Sequence, residues 1–232
     1  MVFGGLLKNS FVDFPGRVSC VLFLAGCNFR CPFCHNPELV KRDRCSSYFD
    51  VQEVYRFLER RKEFLYGVVI SGGEPTIQED LIDLCKEIKK IGYSVKLDTN
   101  GSRPKIIRTL IDEGYVDYIA MDIKTDPFRY FPFITTDPNT DKIISSINII
   151  MESTITYELR TTCVRPFVDV YTIGKIASII EGAMLYVLQP FHNTRILQPE
   201  FFNKINPGYG DAELVCLQLI AEPWVKKCII RT

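Results

Sequence analysis

Ala25-Gly26-Cys27-Asn28-Phe29-Arg30-Cys31-Pro32-Phe33-Cys34-His35-Asn36 places three thiols within eight residues. It follows directly on Val18-Ser19-Cys20-Val21-Leu22-Phe23-Leu24, a nearly continuous apolar run. A run of this kind reads as a strand buried on both faces, the type found in parallel sheets. Cys27, Cys31 and Cys34 stand at i, i+4 and i+7, which is also the spacing of a helical stripe. Gly26, Asn28 and Pro32 make a regular helix poor here, because Pro32 lacks a donor and its ring clashes with the preceding turn. The stretch therefore reads as a loop that leaves a strand and turns its thiols inward.

Outward from this loop the chain alternates between strand and helix signals. Upstream, Gly4-Gly5 and Pro15-Gly16 are turn chemistry and predict a short strand or hairpin leading in. Downstream, Asp50 is the expected N-cap of a helix from Val51 to Arg61, with Val51, Val54, Tyr55 and Leu58 on one face. Val68 to Ile70 is a strand closed by Ser71-Gly72-Gly73-Glu74-Pro75, and a helix follows over about residues 79–90, ended by Gly92. Ser94 to Leu97 is a strand closed by Asp98-Thr99-Asn100-Gly101, and residues 102–113 are helical, with Pro104 in the first turn. Val116 to Met121 is a strand closed by Asp122-Ile123-Lys124. An aromatic, proline-rich loop spans residues 125–139. Helices over 140–151, 170–180 and 211–221 alternate with strands over 156–164, 184–188 and 225–230. Gln189-Pro190-Phe191-His192 closes the strand before the last helix. Six strand–helix units of roughly 25 to 40 residues imply a parallel sheet with crossover helices. No repeat or linker divides the chain. The expectation is one domain over 1–232, with a lead-in at 1–17, a core at 18–192 and a final helix and strand at 193–232.

Composition narrows the function. Of 232 residues 47% are hydrophobic, and 28 Lys and Arg balance 28 Asp and Glu. A neutral chain has no general electrostatic grip on nucleic acid or an anionic membrane, so neither is an expected partner. No apolar run approaches the ~18 residues of a membrane span, and Met1 to Lys8 lacks the pattern of a signal peptide. The expected location is cytoplasmic. In a reducing compartment, a cluster of three among nine cysteines points to metal or catalysis rather than disulfides. Cys20, Cys45, Cys85, Cys163, Cys216 and Cys228 are scattered and read as small buried hydrophobes.

The distinctive polar groups fall just after the ends of the expected strands. This holds for the cysteine loop, Ser71 to Glu74, Asp98 to Gly101, Asp122 to Lys124 and Gln189 to His192, while Arg160 lies inside the fifth strand. In α/β barrels and open sheets, loops at the carboxyl edge of the strands converge on the site. Loops there are polar anyway, but that alone does not account for two carboxylates, a lysine and a diglycine beside three thiols. Zinc, with His35 as fourth ligand, is one reading of the thiols, but zinc sites usually come as two separated ligand pairs and no second Cys-x-x-C is present. An iron–sulfur cubane normally takes four thiolates. Three would leave one iron open to a chelating ligand.

Cys-x-x-x-Cys-x-x-Cys after the first strand of a six-unit β/α chain resembles the signature of the radical S-adenosylmethionine enzymes. Gly72-Gly73-Glu74-Pro75 resembles their glycine-rich motif, whose backbone and side chain contact the methionine amino group of the cofactor. Glycines let a backbone approach a ligand closely, and a carboxylate at Glu74 suits an ammonium. Cys34-His35-Asn36, Asp98-Thr99-Asn100-Gly101, Asp122-Ile123-Lys124 and Gln189-Pro190-Phe191-His192 are similar to the activating enzymes of glycyl-radical enzymes. The opening Leu6 to Val40 looks like the anaerobic ribonucleoside-triphosphate reductase activating branch.

This resemblance implies an α/β fold, an open, partial (β/α)6 TIM-like barrel of parallel strands. It implies a [4Fe-4S] cluster on Cys27, Cys31 and Cys34, with S-adenosylmethionine at Gly72, Gly73, Glu74, Asp98, Asn100, Asp122, Lys124, Arg160 and His192. By likeness to pyruvate formate-lyase activase, Asp98 and Asp122 are candidates to hold a monovalent cation beside the cofactor carboxylate. The implied partners are a glycyl-radical enzyme as protein substrate and a flavodoxin or ferredoxin-type electron donor. Residues 35–50 are too short for the inserted ferredoxin-like segment of some relatives, so no auxiliary cluster is expected. Rival readings are a radical enzyme acting on a small molecule, similar to 7-carboxy-7-deazaguanine synthase, and a non-catalytic zinc or iron–sulfur redox module.

Overall fold

Among the described residues, eight strands form one sheet whose spatial order is the chain order. The computed structural model describes residues 1–40, 50–192 and 194–231; Cys45 lies outside them. β1 (Phe3–Ser10) pairs antiparallel with β2 (Ser19–Leu24). From β2 onward every pairing is parallel, through β3 (Gly67–Gly72), β4 (Ser94–Thr99), β5 (Tyr118–Asp122), β6 (Thr156–Cys163), β7 (Tyr186–Pro190) and β8 (Cys228–Ile230). No pairing joins β8 back to β1 among the described residues, so the barrel is open. The crossovers carry α1 (Pro37–Val40), α2 (Val51–Arg60), α3 (Leu81–Ile91), α4 (Pro104–Asp112), α5 (Asp141–Glu152), α6 (Val170–Ile179) and α7 (Asp211–Ala221). None of these helices is long and apolar enough to cross a membrane.

Local chemistry sets the helix ends. Asp50 and Glu53 form a reciprocal capping box at the start of α2, with bonds of 2.7 and 3.0 Å. α3 ends on Gly92 in the left-handed conformation at φ 106°. Leu81, Leu84, Cys85 and Ile88 of α3 are sealed against the sheet, and each such apolar side chain is worth about 1.5–3 kcal/mol on burial. The last strand is shorter than its sequence suggests. Glu222–Trp224 wind into a 3-10 turn, and the Lys226 amide is spent on Ala183. Cys20, Cys85, Cys163 and Cys228 are buried as expected, whereas Cys216 is exposed on α7 and is not a core residue.

Strand alternation divides the interior in two. Residues pointing outward build the large core beneath the helices. Val21, Val69, Tyr118 and Ala120, pointing inward, form a small lumen core with Phe14 from the β1–β2 connection. In register with these, Lys96 lies beside Val69 and Tyr118, Glu158 beside Ala120, and Arg160 beside Asp122. The lumen thus sets Lys96 and Glu158 level with apolar neighbours, and Asp122 and Arg160 lie nearer the carboxyl ends of the strands.

Candidate active site

The cysteine loop is anchored from several sides. Gly26 and Cys27 donate backbone bonds to Leu39 and Val40 at 2.7 and 3.2 Å, so α1 folds back over the loop root. Arg30 donates to Ile134, while Gln198 and Leu197 donate to Pro32 and Cys34. The Gln78 amide reaches the Ala25 carbonyl at 2.8 Å. These bonds hold a loop rather than a helix, and Cys27, Cys31 and Cys34 all face one cavity of about 240 Å³. Burial pushes the Cys27 thiol up to about 11 and the Cys31 thiol up to about 12, and Cys34 rises for the same reason. Neighbouring thiols add to the rise at Cys27 and at Cys31. The described residues contain no group of three such ligands around a single-ion position. His35 spends Nε2 on the His192 carbonyl at 2.8 Å.

Gly72 and Gly73 lie on the root of this loop. A β-carbon at Gly72, where φ is 128°, would collide with the backbone of Leu24, and one at Gly73 with the carbonyl of Gly26. Their close approach thus serves the cysteine loop, while both residues also line the cavity. Glu74 is almost fully buried. Its Oε1 accepts from the Thr76 amide at 3.0 Å, the Thr76 hydroxyl at 2.5 Å and the Thr99 hydroxyl at 2.7 Å. Its Oε2 accepts from the Asn100 amide at 2.6 Å. The carboxylate that the sequence offers to an ammonium therefore first ties the loop after β3 to the loop after β4. Oε2 is the oxygen with room for another donor. Asn100 completes the brace, since its Nδ2 donates to Asn28 at 3.1 Å.

Charged groups close the opposite wall. Arg160 Nε donates to Asp122 at 2.7 Å, and Arg160 Nη1 lies 3.6 Å from Asp98. Lys124 meets the other Asp122 oxygen at 3.0 Å, and Lys96 meets Asp98 at 2.5 Å. Burial alone would raise the Asp122 carboxyl, but Arg160 and Lys124 hold it well below the usual carboxylate range. Burial would lower Lys124, yet Asp122 and the thiols of Cys31 and Cys34 raise it, so it stays an ammonium. Asp98 and Asp122, the candidates that the resemblance offers for a monovalent cation, are met by three cationic side chains, Arg160, Lys124 and Lys96.

Every candidate except His192 lines this one cavity. His192 is exposed and lines a neighbouring cleft of about 660 Å³, together with Gln189, Lys96 and Arg231. His35, Arg160 and Thr162 border both spaces. The aromatic loop divides. Tyr130 is buried, packs edge-on against Phe29 at 5.7 Å and accepts from the Lys124 amide at 2.8 Å. Phe128, Phe131 and Phe133 are exposed, with Phe133 against Phe167 and Phe201. Lys96, Glu158 and Thr162 belong to no motif of the sequence. Lys96 and Asp98 on β4, and Glu158 and Arg160 on β6, are spaced by two, and charged residues at every second position of a strand were the available signal.

The sequence pattern of the Radical SAM superfamily matches residues 21–179. The chain is 33% identical over 235 aligned residues, 98% of its length and 95% of the other, to a Methanocaldococcus jannaschii protein named "Putative glycyl-radical enzyme activating enzyme MJ1227". It is 32% identical to the pyruvate formate-lyase-activating enzyme of Staphylococcus epidermidis, over 56% of this chain and 55% of that one. Among solved structures it superposes on Streptococcus suis SuiB bound to S-adenosylmethionine with a TM-score of 0.68 at 14% identity. That match covers 91% of this chain and 52% of SuiB, so the chain spans about half the SuiB length. At that identity the likeness is one of fold.

Proposed function

The chain belongs to the Radical SAM superfamily, and from that premise we propose that it activates a glycyl-radical enzyme by removing a hydrogen atom from a glycine Cα of that protein. Membership makes it an enzyme of radical chemistry and implies a [4Fe-4S] cluster and S-adenosylmethionine. The residues fit both. Cys27, Cys31 and Cys34 would hold the cluster and leave one iron without a protein thiolate. Thiols that face one cavity without converging on a single point suit a cluster, which takes each on a different iron.

The observation that carries the reading is the single cavity. It brings the three thiols, the diglycine and the Asp98–Arg160–Asp122 group together at the carboxyl edge of the sheet. Likeness along the whole chain to a protein named as an activating enzyme supports the choice of substrate. Bound there, the cluster and S-adenosylmethionine would supply the one-electron chemistry that generates a radical able to take a hydrogen atom. The residues position and shield. The Gly72-Gly73 backbone and Glu74 Oε2 would take the amino group, and Arg160, with Asp98 and Asp122, would orient the rest of the cofactor. Phe29 and Phe33 line the cavity and present it with aromatic rings. The hydrogen atom leaves the glycine Cα and ends on the 5′ carbon. One electron taken up thus yields methionine, 5′-deoxyadenosine and a glycyl radical. A flavodoxin or ferredoxin-type protein would deliver that electron. The gap between β8 and β1 would admit a segment of the partner.

Anaerobic reconstitution with iron and sulfide, followed by reduction, tests the first half. Failure to convert S-adenosylmethionine into 5′-deoxyadenosine and methionine would rule out the radical reading. Electron paramagnetic resonance on a co-incubated glycyl-radical enzyme tests the second half through the glycine doublet. Cleavage with no doublet on any candidate partner would favour a small-molecule substrate instead.

A further inference from the structure

Glu158 is buried in the lumen on β6, one strand position away from the cavity wall, and no step above uses it. Its charge is met from the open edge of the sheet. Arg231, just past β8, sends its guanidinium beneath β7 and grips Glu158 with both ends, Nη1 to Oε1 at 2.9 Å and Nη2 to Oε2 at 2.7 Å. The Tyr118 hydroxyl adds a third bond to Oε2 at 3.0 Å. The Arg231 amide donates to Leu188 at 3.0 Å, which fixes where the side chain begins. Glu158 also stands 3.7 Å from Nη1 of Arg160, the same nitrogen that lies 3.6 Å from Asp98.

Arg160 therefore sits between competing carboxylates. On one side are Asp122 and Asp98, which face the cofactor cavity; on the other is Glu158, which does not. A buried carboxylate without a partner draws the nearest cation strongly. We propose that Arg231 is a positioning residue: by satisfying Glu158 it leaves Arg160 to Asp122 and Asp98 at the cavity. The inference rests on the reading that this cavity takes S-adenosylmethionine. Without Arg231, Arg160 swings toward Glu158, Asp122 keeps only Lys124, and the cavity wall loses its geometry.

The test measures S-adenosylmethionine affinity on the cluster-loaded protein by anaerobic equilibrium dialysis, alongside the melting temperature. Arg231→Ala is expected to bind roughly tenfold more weakly, within the range of coupled neighbours. Turnover at saturating S-adenosylmethionine should change far less than KM. Removing the competing charge as well, in Arg231→Ala with Glu158→Gln, should restore affinity to within about twofold. Should Arg231→Ala fail to fold, Arg231→Gln takes its place with the same expected direction. Wild-type affinity in the single variant, or a lower melting temperature with affinity unchanged, overturns the proposal. So does a double variant that binds no better than the single one. Arg160→Ala separates the two levels of the argument. If it weakens binding while Arg231→Ala does not, only the positioning role falls; if it leaves binding unchanged, the cavity reading falls with it.

Discussion

Gly73 lies so close against Gly26 that the carbonyl of one occupies the space where the other would carry a β-carbon. The Gly73 amide bonds to Leu24 at 2.8 Å, and the next amide, of Glu74, bonds to Gly26 at 2.8 Å. Gly73→Ala must therefore push the residue that precedes Cys27. The expected result is a loss of about 1–3 kcal/mol in stability and a clear fall in iron bound per chain after reconstitution. Gly182→Ala is the control. Its φ is +84° with nothing within 4 Å, so it should cost about 1–2 kcal/mol with iron content unchanged.

Glu74→Gln should destabilise the protein by about 1–3 kcal/mol. Three donors converge on Oε1, and a glutamine can offer only one oxygen to the donors on both sides. Its amide must then face either the Thr76–Thr99 donors or the Asn100 amide. Urea unfolding reads the effect, and an unchanged midpoint would show that the brace contributes nothing.

Cys31→Ala should abolish cluster assembly, while Cys85→Ala should leave it intact. Both thiols are buried, but Cys31 faces the cavity, whereas Cys85 lies on α3 and packs in the core between helix and sheet. Iron and sulfide content after reconstitution separates them. A Cys31→Ala protein that carries a full cluster would contradict the ligand assignment.

Asp122 makes the protein acid-sensitive in a defined direction. Its carboxyl is depressed in the folded state by Arg160 and Lys124, from an ordinary value near 3.8. A depressed folded value contributes stability that is complete above the unfolded value and is lost as pH falls through the folded one. The stability gap between the wild type and Asp122→Asn should thus stay constant from pH 7 to about 5 and narrow below about 4. Unfolding free energies measured from pH 7 to 3 check this. A constant gap down to pH 3 would mean that the ion pairs do not depress the group.

Much of the fold was legible because its signals are local. Val18 to Leu24, the Asp50 cap, Gly92 and Pro104 each mark an element by their own backbone chemistry. The shared cavity was legible because parallel strands send their following loops to one edge, so Cys27, Gly72, Asp98 and Asp122 had to meet. What the sequence hid depends on register between distant strands. That Arg160 would bond to Asp122 while standing between Asp98 and Glu158, or that Arg231 would reach across β7, follows from which residues lie side by side. Gln189 to His192 ends a strand as expected, but β7 sits near the open edge, and its loop borders the wider cleft. That Glu74 also braces the site was hidden, because its partners Thr76, Thr99 and Asn100 come from two loops 25 residues apart.

Burial of the cavity thiols also sets their chemistry. Thiolate, not thiol, reacts with alkylating agents. Burial raises Cys27, Cys31 and Cys34 alike, so each holds its proton more tightly than a free thiol. The enclosure that would surround a reactive centre also shields the sulfurs that would hold it.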